Sequence, residues 1–260
     1  MNPEIAIVLP AFNEEKDLPL LLENIRTKLA PTSLNWKVII VDDGSKDRTA
    51  EIAEDAALTM PLTLIRHEVN RGLGEAIKTG LTAAAHTADV IITCDADNSH
   101  DPIYMPAMVA ELERTGKDLI IASRFQKGSI VTGVPYLRRL MSWGVIALMK
   151  TLLPFKNVRD YSTGFRAYRA TTLQKLIQRT RGKIVEESGF VCMLEVLLKL
   201  RAIGATAGEI PYTLRYDLKQ GASKIRIFRT IRRYFSVIAR FRKKDVLPPA
   251  SNTVPVPVAR

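Results

Sequence analysis

Apolar residues come in short runs that alternate with longer amphipathic stretches through the first 125 residues of the chain. EIAIVL (4–9), KVIIV (37–41), LTLIRH (62–67), DVIITC (89–94) and DLIIAS (118–123) have the length and β-branched content of buried strands. Between them the apolar spacing turns helical, over 13–29, 45–57, about 74–85 and 101–116. Ser45 is placed to cap the second of these helices, and Pro102 near the start of the fourth costs no hydrogen bond there. Continuous apolar strands separated by amphipathic helices predict an α/β fold with a mostly parallel central sheet covered on both faces. Such sheets place ligands at the carboxyl ends of their strands. The segments there are LPAFNE, DDGS, NRGLG, DADNSHDP and SRF, all polar and turn-forming.

Beyond residue 130 the alternation weakens. Residues 136–153 read as a basic, apolar helix, 163–170 as a short strand, 187–204 as an apolar helix and 206–216 as an edge strand tolerant of Pro211. Residues 225–244 read as a basic amphipathic helix, and the proline-rich stretch 245–260 as a disordered tail. No internal repeat is visible.

Composition narrows the class. The apolar fraction of 47% suffices for a full core, and no run reaches the ~18 apolar residues of a spanning helix. The first residues lack a basic segment followed by an apolar core, so no secretory signal is expected. The two cysteines, Cys94 and Cys192, sit in apolar surroundings without ligand spacing and read as core thiols. The three histidines are scattered, which argues against a histidine metal site. Thirty-eight basic residues against 27 acidic ones give a formal charge of +11 and favour anionic partners.

Against that charge, three aspartates cluster in CDADNSHDP at 94–102. Asp95 and Asp97 lie two apart after a strand and face one way if the chain stays extended. Two carboxylates so placed suit Mg²⁺ or Mn²⁺, which prefer oxygen and share open positions with phosphates. The same acids also fit a helix cap before Pro102, and Asp101 reads as such a cap. Asp42 and Asp43 fit either a nucleoside contact or a turn, and Phe12 either a base-facing ring or core. No glycine-rich phosphate loop occurs, and NRGLG lacks the dinucleotide fingerprint. Any phosphate must then meet metal and side chains.

LPAFNEE, VDDGS, NRGLG, DADNSHDP, ASRF, STGFRAYR and RYDLKQGASK follow one another in an order that resembles glycosyltransferases of family 2 with the GT-A fold. More narrowly, the chain is similar to dolichyl-phosphate mannose synthases and related polyprenyl-phosphate glycosyltransferases over roughly residues 4–244. The resemblance implies that Pro10, Phe12, Glu14, Val41 and Asp43 hold the nucleoside of a GDP- or UDP-sugar. It puts Asp95, Ala96 and Asp97 beside the diphosphate and sugar, with Asp97 as chief metal ligand. Ser99 stands where the family often has glutamine and is a shorter, weaker ligand. Arg124 is implied between donor and acceptor phosphates, and Arg138 and Ser142 at the lipid phosphate. Arg215 and Lys224 are implied over the donor diphosphate; their nine-residue separation exceeds the family's, and Lys219 is an alternative to Arg215.

The chemistry that follows needs no histidine. A phosphomonoester acceptor is already ionised near neutral pH, so the attack needs no general base. Electrostatics and in-line placement carry the reaction, and a single displacement inverts the anomeric centre. A hydroxyl acceptor would instead require one of the acids near the fourth strand as base.

In 225–244, Phe228, Ile231, Phe235 and Ile238 recur at steps of three and four beside Arg226, Arg229, Arg233 and Arg240, with no acid. This pattern reads as an interfacial helix on an anionic membrane, or as a helix packed on the sheet with a solvated basic face. The expected organisation is a GT-A catalytic unit at 1–224, the interfacial helix at 225–244 and the tail at 245–260. The protein is expected at the cytoplasmic face of a membrane, peripheral or held by a membrane-anchoring partner. The alternatives are a family 2 enzyme with a saccharide or other hydroxyl acceptor, and a non-enzymatic nucleic-acid binder. No nucleic-acid module is recognisable, and the ordered acidic motifs argue against the last.

Overall fold

The computed structural model describes residues 2–134, 136–218, 227–242 and 247, with some side chains of the helix that begins at Tyr136 and of the last helix outside that description. The amino-terminal half runs β1 (Glu4–Ala11), α1 (Leu18–Leu29), β2 (Asn35–Asp42), α2 (Thr49–Ala57), β3 (Leu62–Arg66), α3 (Leu73–Ala85), β4 (Val90–Thr93), α4 (Met105–Thr115) and β5 (Leu119–Ser123). The five expected strands and four expected helices are all present. A 3-10 turn at Pro102–Tyr104 leads into α4, and the Asp101 side chain accepts from the Ile103 amide as its cap. Helix α1 forms because Leu18, Leu21, Leu22, Ile25 and Leu29 recur on one buried face. Helix α4 stops at Gly116, whose φ of 63° ends the helix in the left-handed region.

The later half contains β6 (Ile130–Thr132), α5 (Tyr136–Leu152), β7 (Arg166–Arg169), α6 (Ala170–Thr180), α7 (Cys192–Ala202), β8 (Ala207–Pro211), β9 (Thr213–Arg215) and α8 (Ile227–Arg242). Helix α6 and strand β6 were not foreseen from the sequence. The strand expected over 206–216 divides at Tyr212: β8 is the edge of the main sheet, and β9 pairs with β6 in a separate two-stranded sheet. Ser45 does not cap α2. Arg48 occupies that position, and the Ser45 hydroxyl accepts from the Asn13 amide instead.

The main sheet has seven strands in the order β3-β2-β1-β4-β7-β5-β8. All pairings are parallel except those of β7, which is antiparallel to β4 and β5. Alternation along β1 splits the core in two. Ala6 and Val8 face the side covered by α3, α6 and α7, and Ile5, Ile7 and Leu9 face α1 and α4. The chain moves outward from β1 to β3, then returns to the other side of β1 as β4. Strand order reverses there, and the carboxyl ends of β1, β2 and β4 meet at the crevice that such a reversal opens.

Helix α8 packs on the body. Val237, Ile238 and Phe241 are buried in the α7 side of the core, while Ile231 and Phe235 stay exposed. Ile238 therefore leaves the single lipid-facing stripe expected of it, and Phe228 has a side chain outside the described residues. Among the described residues no helix is long and apolar enough to cross a membrane.

Candidate active site

The loops after β1 and β2 are stitched together. Pro10 lies in register with Val41, and the Asp43 amide donates to the Ala11 carbonyl at 2.8 Å. Asn13 takes a left-handed φ of 52°. From there its amide donates to Ser45 Oγ and its Oδ1 accepts from the Lys46 amide, both at 2.9 Å. The Glu14 amide donates to Thr49 Oγ1 at 2.8 Å. Phe12 and Glu14 are thus held, half-buried, above the end of β2.

Asp43 is buried and its carboxylate is engaged inside the protein. Oδ1 meets His67 Nδ1 at 2.7 Å and accepts from the Arg71 amide at 2.9 Å; Oδ2 accepts from the Gly72 amide at 2.7 Å. His67 is fixed from its other side by Thr79 at 3.0 Å. Asp43 therefore anchors the NRGLG loop to the end of β2. Its neighbour Asp42 accepts from the Ser45 amide at 3.0 Å, while Oδ2 is buried with no hydrogen bond and lies 3.7 Å from Arg66 Nε.

After β4 the chain folds into a compact loop in which Ala96, Asp97, Asn98, Ser99 and His100 are all buried. Asn98, at φ 55°, turns the loop back, and its Oδ1 accepts from Asn24 of α1 at 2.9 Å. Ser99 Oγ donates to Asp97 Oδ1 at 2.5 Å and the Ser99 amide approaches the same oxygen at 3.2 Å. His100 Nδ1 accepts from the Asp95 amide at 3.2 Å, and its ring stacks on Phe165 at 5.1 Å. Gly164 lies so close that a Cβ there would sit 2.9 Å from Asp95 Oδ1. The acid pair is thus built against the STGF segment. Burial pushes the nearby Cys94 thiol well up, with Asp95 and Asp97 adding to it, which fits an inert core thiol.

Arg124 follows β5 and forks onto Asp160, with Nε to Oδ2 at 2.8 Å and Nη2 to Oδ1 at 2.7 Å. Nη2 also donates to Ser162 Oγ at 2.6 Å. Burial works against both charges, but each holds the other ionised: Arg124 is raised and Asp160 lies below the usual carboxylate range. Glu209 Oε1 accepts from the amides of Arg159 and Asp160 at 2.6 and 2.7 Å, and burial pushes the Glu209 carboxyl up. Phe125 packs edge-on against Trp143 of α5 at 5.3 Å.

Strand β9 brings Arg215 to the acid loop, where its amide donates to the Ser99 carbonyl at 3.2 Å. Its guanidinium is half exposed and pairs with Asp217 at 2.8 Å. Ser142 is half-buried on α5, and Arg138 lies on the same helix with its side chain outside the described residues. Lys219 and Lys224 also lie outside them.

The donor set tests whether a divalent ion fits. Among the described residues no cluster of three or more His, Cys, Asp or Glu is arranged to hold a metal by itself. Asp97, Asp95 and the Ser99 hydroxyl provide hard oxygen atoms on one short loop. That set suits Mg²⁺ or Mn²⁺ completed by substrate phosphate and water, not a closed protein cage. With its hydroxyl donated to Asp97, Ser99 orients that carboxylate.

The family model for glycosyl transferase family 2 matches residues 6–177, well over half of the chain. The chain belongs to glycosyl transferase family 2. It is 31% identical to a dolichol-phosphate mannosyltransferase of Pyrococcus furiosus over 92% of its own length, and spans 64% of that longer protein. It is 30% identical to an undecaprenyl-phosphate mannosyltransferase of Micrococcus luteus, covering 85% of this chain and 87% of that protein. In structure it is similar to glucosyl-3-phosphoglycerate synthase of Mycobacterium tuberculosis, solved with Mn²⁺, UDP and glucosyl-3-phosphoglycerate. The TM-score is 0.68 at 20% identity, covering 92% of this chain and 80% of that one. That likeness establishes the GT-A fold expected of the motifs.

Asp160, Ser162, His67, His100 and Glu209, to which the motifs assign no role, are tied by the structure to the predicted residues. Asp160 stands two residues before Ser162 of the STGFR stretch, so an acid just upstream of a quoted motif was the available signal. Ser162 and His100 lie inside quoted motifs, STGFR and DADNSHDP, whereas His67 and Glu209 approach across the fold from positions that no local spacing relates.

Proposed function

We propose that this protein transfers a hexose, with inversion, from a nucleotide diphosphate sugar to a polyprenyl phosphate at a membrane surface, using Mg²⁺ or Mn²⁺. One observation carries the reading: the polar edge is continuous with an exposed apolar stripe. Tyr136, Leu140 and Trp143 of α5 recur at steps of four and three, and are 80%, 56% and 59% exposed. Trp143 touches Phe125, the residue after Arg124. A site for a phosphate carried on a long apolar chain needs that adjacency. The names of the Pyrococcus and Micrococcus relatives support the same acceptor class.

In this reading Pro10, Phe12, Glu14 and Val41 border the nucleoside, and Asp43 fixes the loops around it. Asp95 and Asp97, with Ala96 between them, border the diphosphate and sugar, and Asp97 is the chief metal ligand with Ser99 orienting it. A bound divalent ion neutralises the diphosphate as negative charge grows on it. Arg215 and Lys224 meet the leaving diphosphate. Arg124, held by Asp160, together with Arg138 and Ser142, orients the acceptor phosphate. An acceptor phosphate oxygen forms the new bond to the anomeric carbon as the bond to the diphosphate oxygen breaks, and the electron pair leaves with the nucleoside diphosphate. No proton has to be removed. The enzyme is peripheral, at the cytoplasmic face of a membrane.

The test is transfer of radiolabelled sugar from a panel of GDP- and UDP-sugars to polyprenyl phosphate, with Mn²⁺ or EDTA. Label is expected in the lipid phase, lost with EDTA. Label transferred only to soluble hydroxyl acceptors would overturn the assignment.

A further inference from the structure

The last helix is fastened to the protein by charge as well as by apolar burial, and the fastening point leads back to the donor side of the site. Glu186, Glu187 and Glu195 face Lys199, Arg233 and Arg240. Glu195 is fully buried on α7, and its Oε2 accepts from the amides of Glu186 and Glu187, both at 2.8 Å. Lys199 Nζ, also buried, lies 2.9 Å from both Glu186 and Glu195 and donates to the Lys183 carbonyl at 2.6 Å. From α8, Arg240 pairs with Glu187 at 2.9 Å and Arg233 donates to Ser188 Oγ at 2.7 Å. The segment 186–188 is therefore held from α7 on one side and from α8 on the other.

That segment presses on the NRGLG loop. A Cβ on Gly72 would meet the Ser188 carbonyl oxygen at 2.6 Å, and one on Gly74 would meet the Glu187 carbonyl oxygen at 1.7 Å. The Gly74 amide approaches that Ser188 oxygen at 3.3 Å. The next link is Asp43, whose carboxylate takes the amides of Arg71 and Gly72 and whose own amide holds the end of β1 at Ala11. Backbone contacts of this closeness transmit position, because a shift of Ser188 has no side-chain slack to absorb it.

We propose that Glu187 and Arg240 are positioning residues for the nucleotide, acting through Ser188, Gly72 and Asp43. The proposal rests on the functional reading above. In it, the helix expected to lie at the membrane also sets the loop that shapes the donor pocket. Neither residue touches the reacting atoms, and neither is adjacent in sequence to a donor residue.

The test compares the full-length protein with Arg240→Met, Glu187→Gln and the charge exchange Arg240→Glu/Glu187→Arg. Binding of GDP and of UDP is measured by calorimetry, with kcat and donor KM for whichever sugar nucleotide is used. Amide hydrogen exchange is followed at Arg71 and Gly72. The single variants are expected to weaken nucleotide binding and raise donor KM about three- to tenfold with kcat nearly unchanged. Exchange at the two amides is expected to speed up, and the exchanged pair to recover at least half of each change. Nucleotide binding and exchange that stay within twofold of the unaltered protein would overturn the positioning role while leaving the proposed function intact. An unaltered protein that binds neither nucleotide would sink the function and this inference together. A lowered Tm without recovery in the exchanged pair would reduce the ion pair to a fastening for α8 and likewise overturn the role.

Discussion

Asp97 and Ser99 show how a short loop sets a carboxylate. The 2.5 Å bond from Ser99 Oγ to Asp97 Oδ1 fixes one oxygen, and the turn at Asn98 makes that bond geometrically available. Asp97→Asn is expected to lower transfer at least a hundredfold, because the proposed function assigns that charge to the metal and diphosphate. Ser99→Ala is expected to cost about tenfold, in the range for removing a partner that orients a metal ligand. Titrating Mn²⁺ against transfer rate in both variants checks this: Ser99→Ala recovers at high Mn²⁺ and Asp97→Asn does not. Equal losses at saturating metal would mean Ser99 acts otherwise. The Glu209 carboxyl couples stability to pH. Its folded pKa is raised, so its contribution to stability is fully present below its unfolded pKa of about 4.3 and is lost as pH rises through the folded value. Asp160 runs oppositely: its pKa is lowered, and its contribution is lost as pH falls. Glu209→Gln keeps an oxygen for the amides of Arg159 and Asp160 and removes the charge. Its Tm is expected to exceed that of the unaltered protein near pH 7 and to converge with it below about pH 4. A Tm difference of the opposite sign at neutral pH would refute this.

At the scale of elements, the sequence was most legible where one period ran long enough to be seen. The five strands and four helices up to Ser123 were visible because β1, β2, β4 and β5 carry buried apolar runs, the edge strand β3 keeps a short apolar run although none of its residues is fully buried, and each helix shows an apolar stripe. Strand β7 and helix α6 share the junction at Ala170 with no turn between them, so the helix had no start signal. Strand β6 has three residues, too few to show a period. The site divided in the same way. Asp95, Asp97 and Arg124 stood out as candidates because they follow buried strands at the sheet's carboxyl edge. His67 and Glu209 were not, because their roles arise from pairing across long sequence separations. Helix α5 lies beside that edge through the contact of Trp143 with Phe125. Its residues Tyr136, Leu140 and Trp143 form an apolar face in a protein with an otherwise polar edge. Leu140→Ser/Trp143→Ser is expected to leave nucleotide binding unchanged and to lower partitioning onto phospholipid vesicles at least tenfold, the effect of losing about 1.4 kcal/mol or more of apolar burial. Co-sedimentation measures it. Undiminished partitioning would remove α5 from the lipid contact.

The whole molecule carries +11 charges, yet several of its arginines are spent internally. Arg124 is committed to Asp160, Arg166 is buried against the carbonyls of Met193 and Tyr161, and Arg240 is tied to Glu187. The excess that remains acts at a distance and is screened over about 10 Å at 0.1 M salt. Apolar contact is not screened. In the proposed membrane-surface reading, binding has two separable parts: attraction to anionic headgroups, worth about 1 kcal/mol per basic residue close to the surface, and insertion of the α5 stripe. Raising salt from about 0.1 to 0.5 M is expected to reduce partitioning onto vesicles containing phosphatidylserine by more than tenfold, with little change on neutral phosphatidylcholine vesicles. In the α5 double variant the salt-dependent factor should persist while binding to both vesicle types falls. Transfer to a water-soluble, short-chain prenyl phosphate should be insensitive to the α5 substitutions, because the phosphate-facing residues are untouched. If the α5 substitutions instead lower transfer to the short acceptor in parallel with vesicle binding, the stripe belongs to the acceptor pocket, and the division between surface binding and chemistry fails.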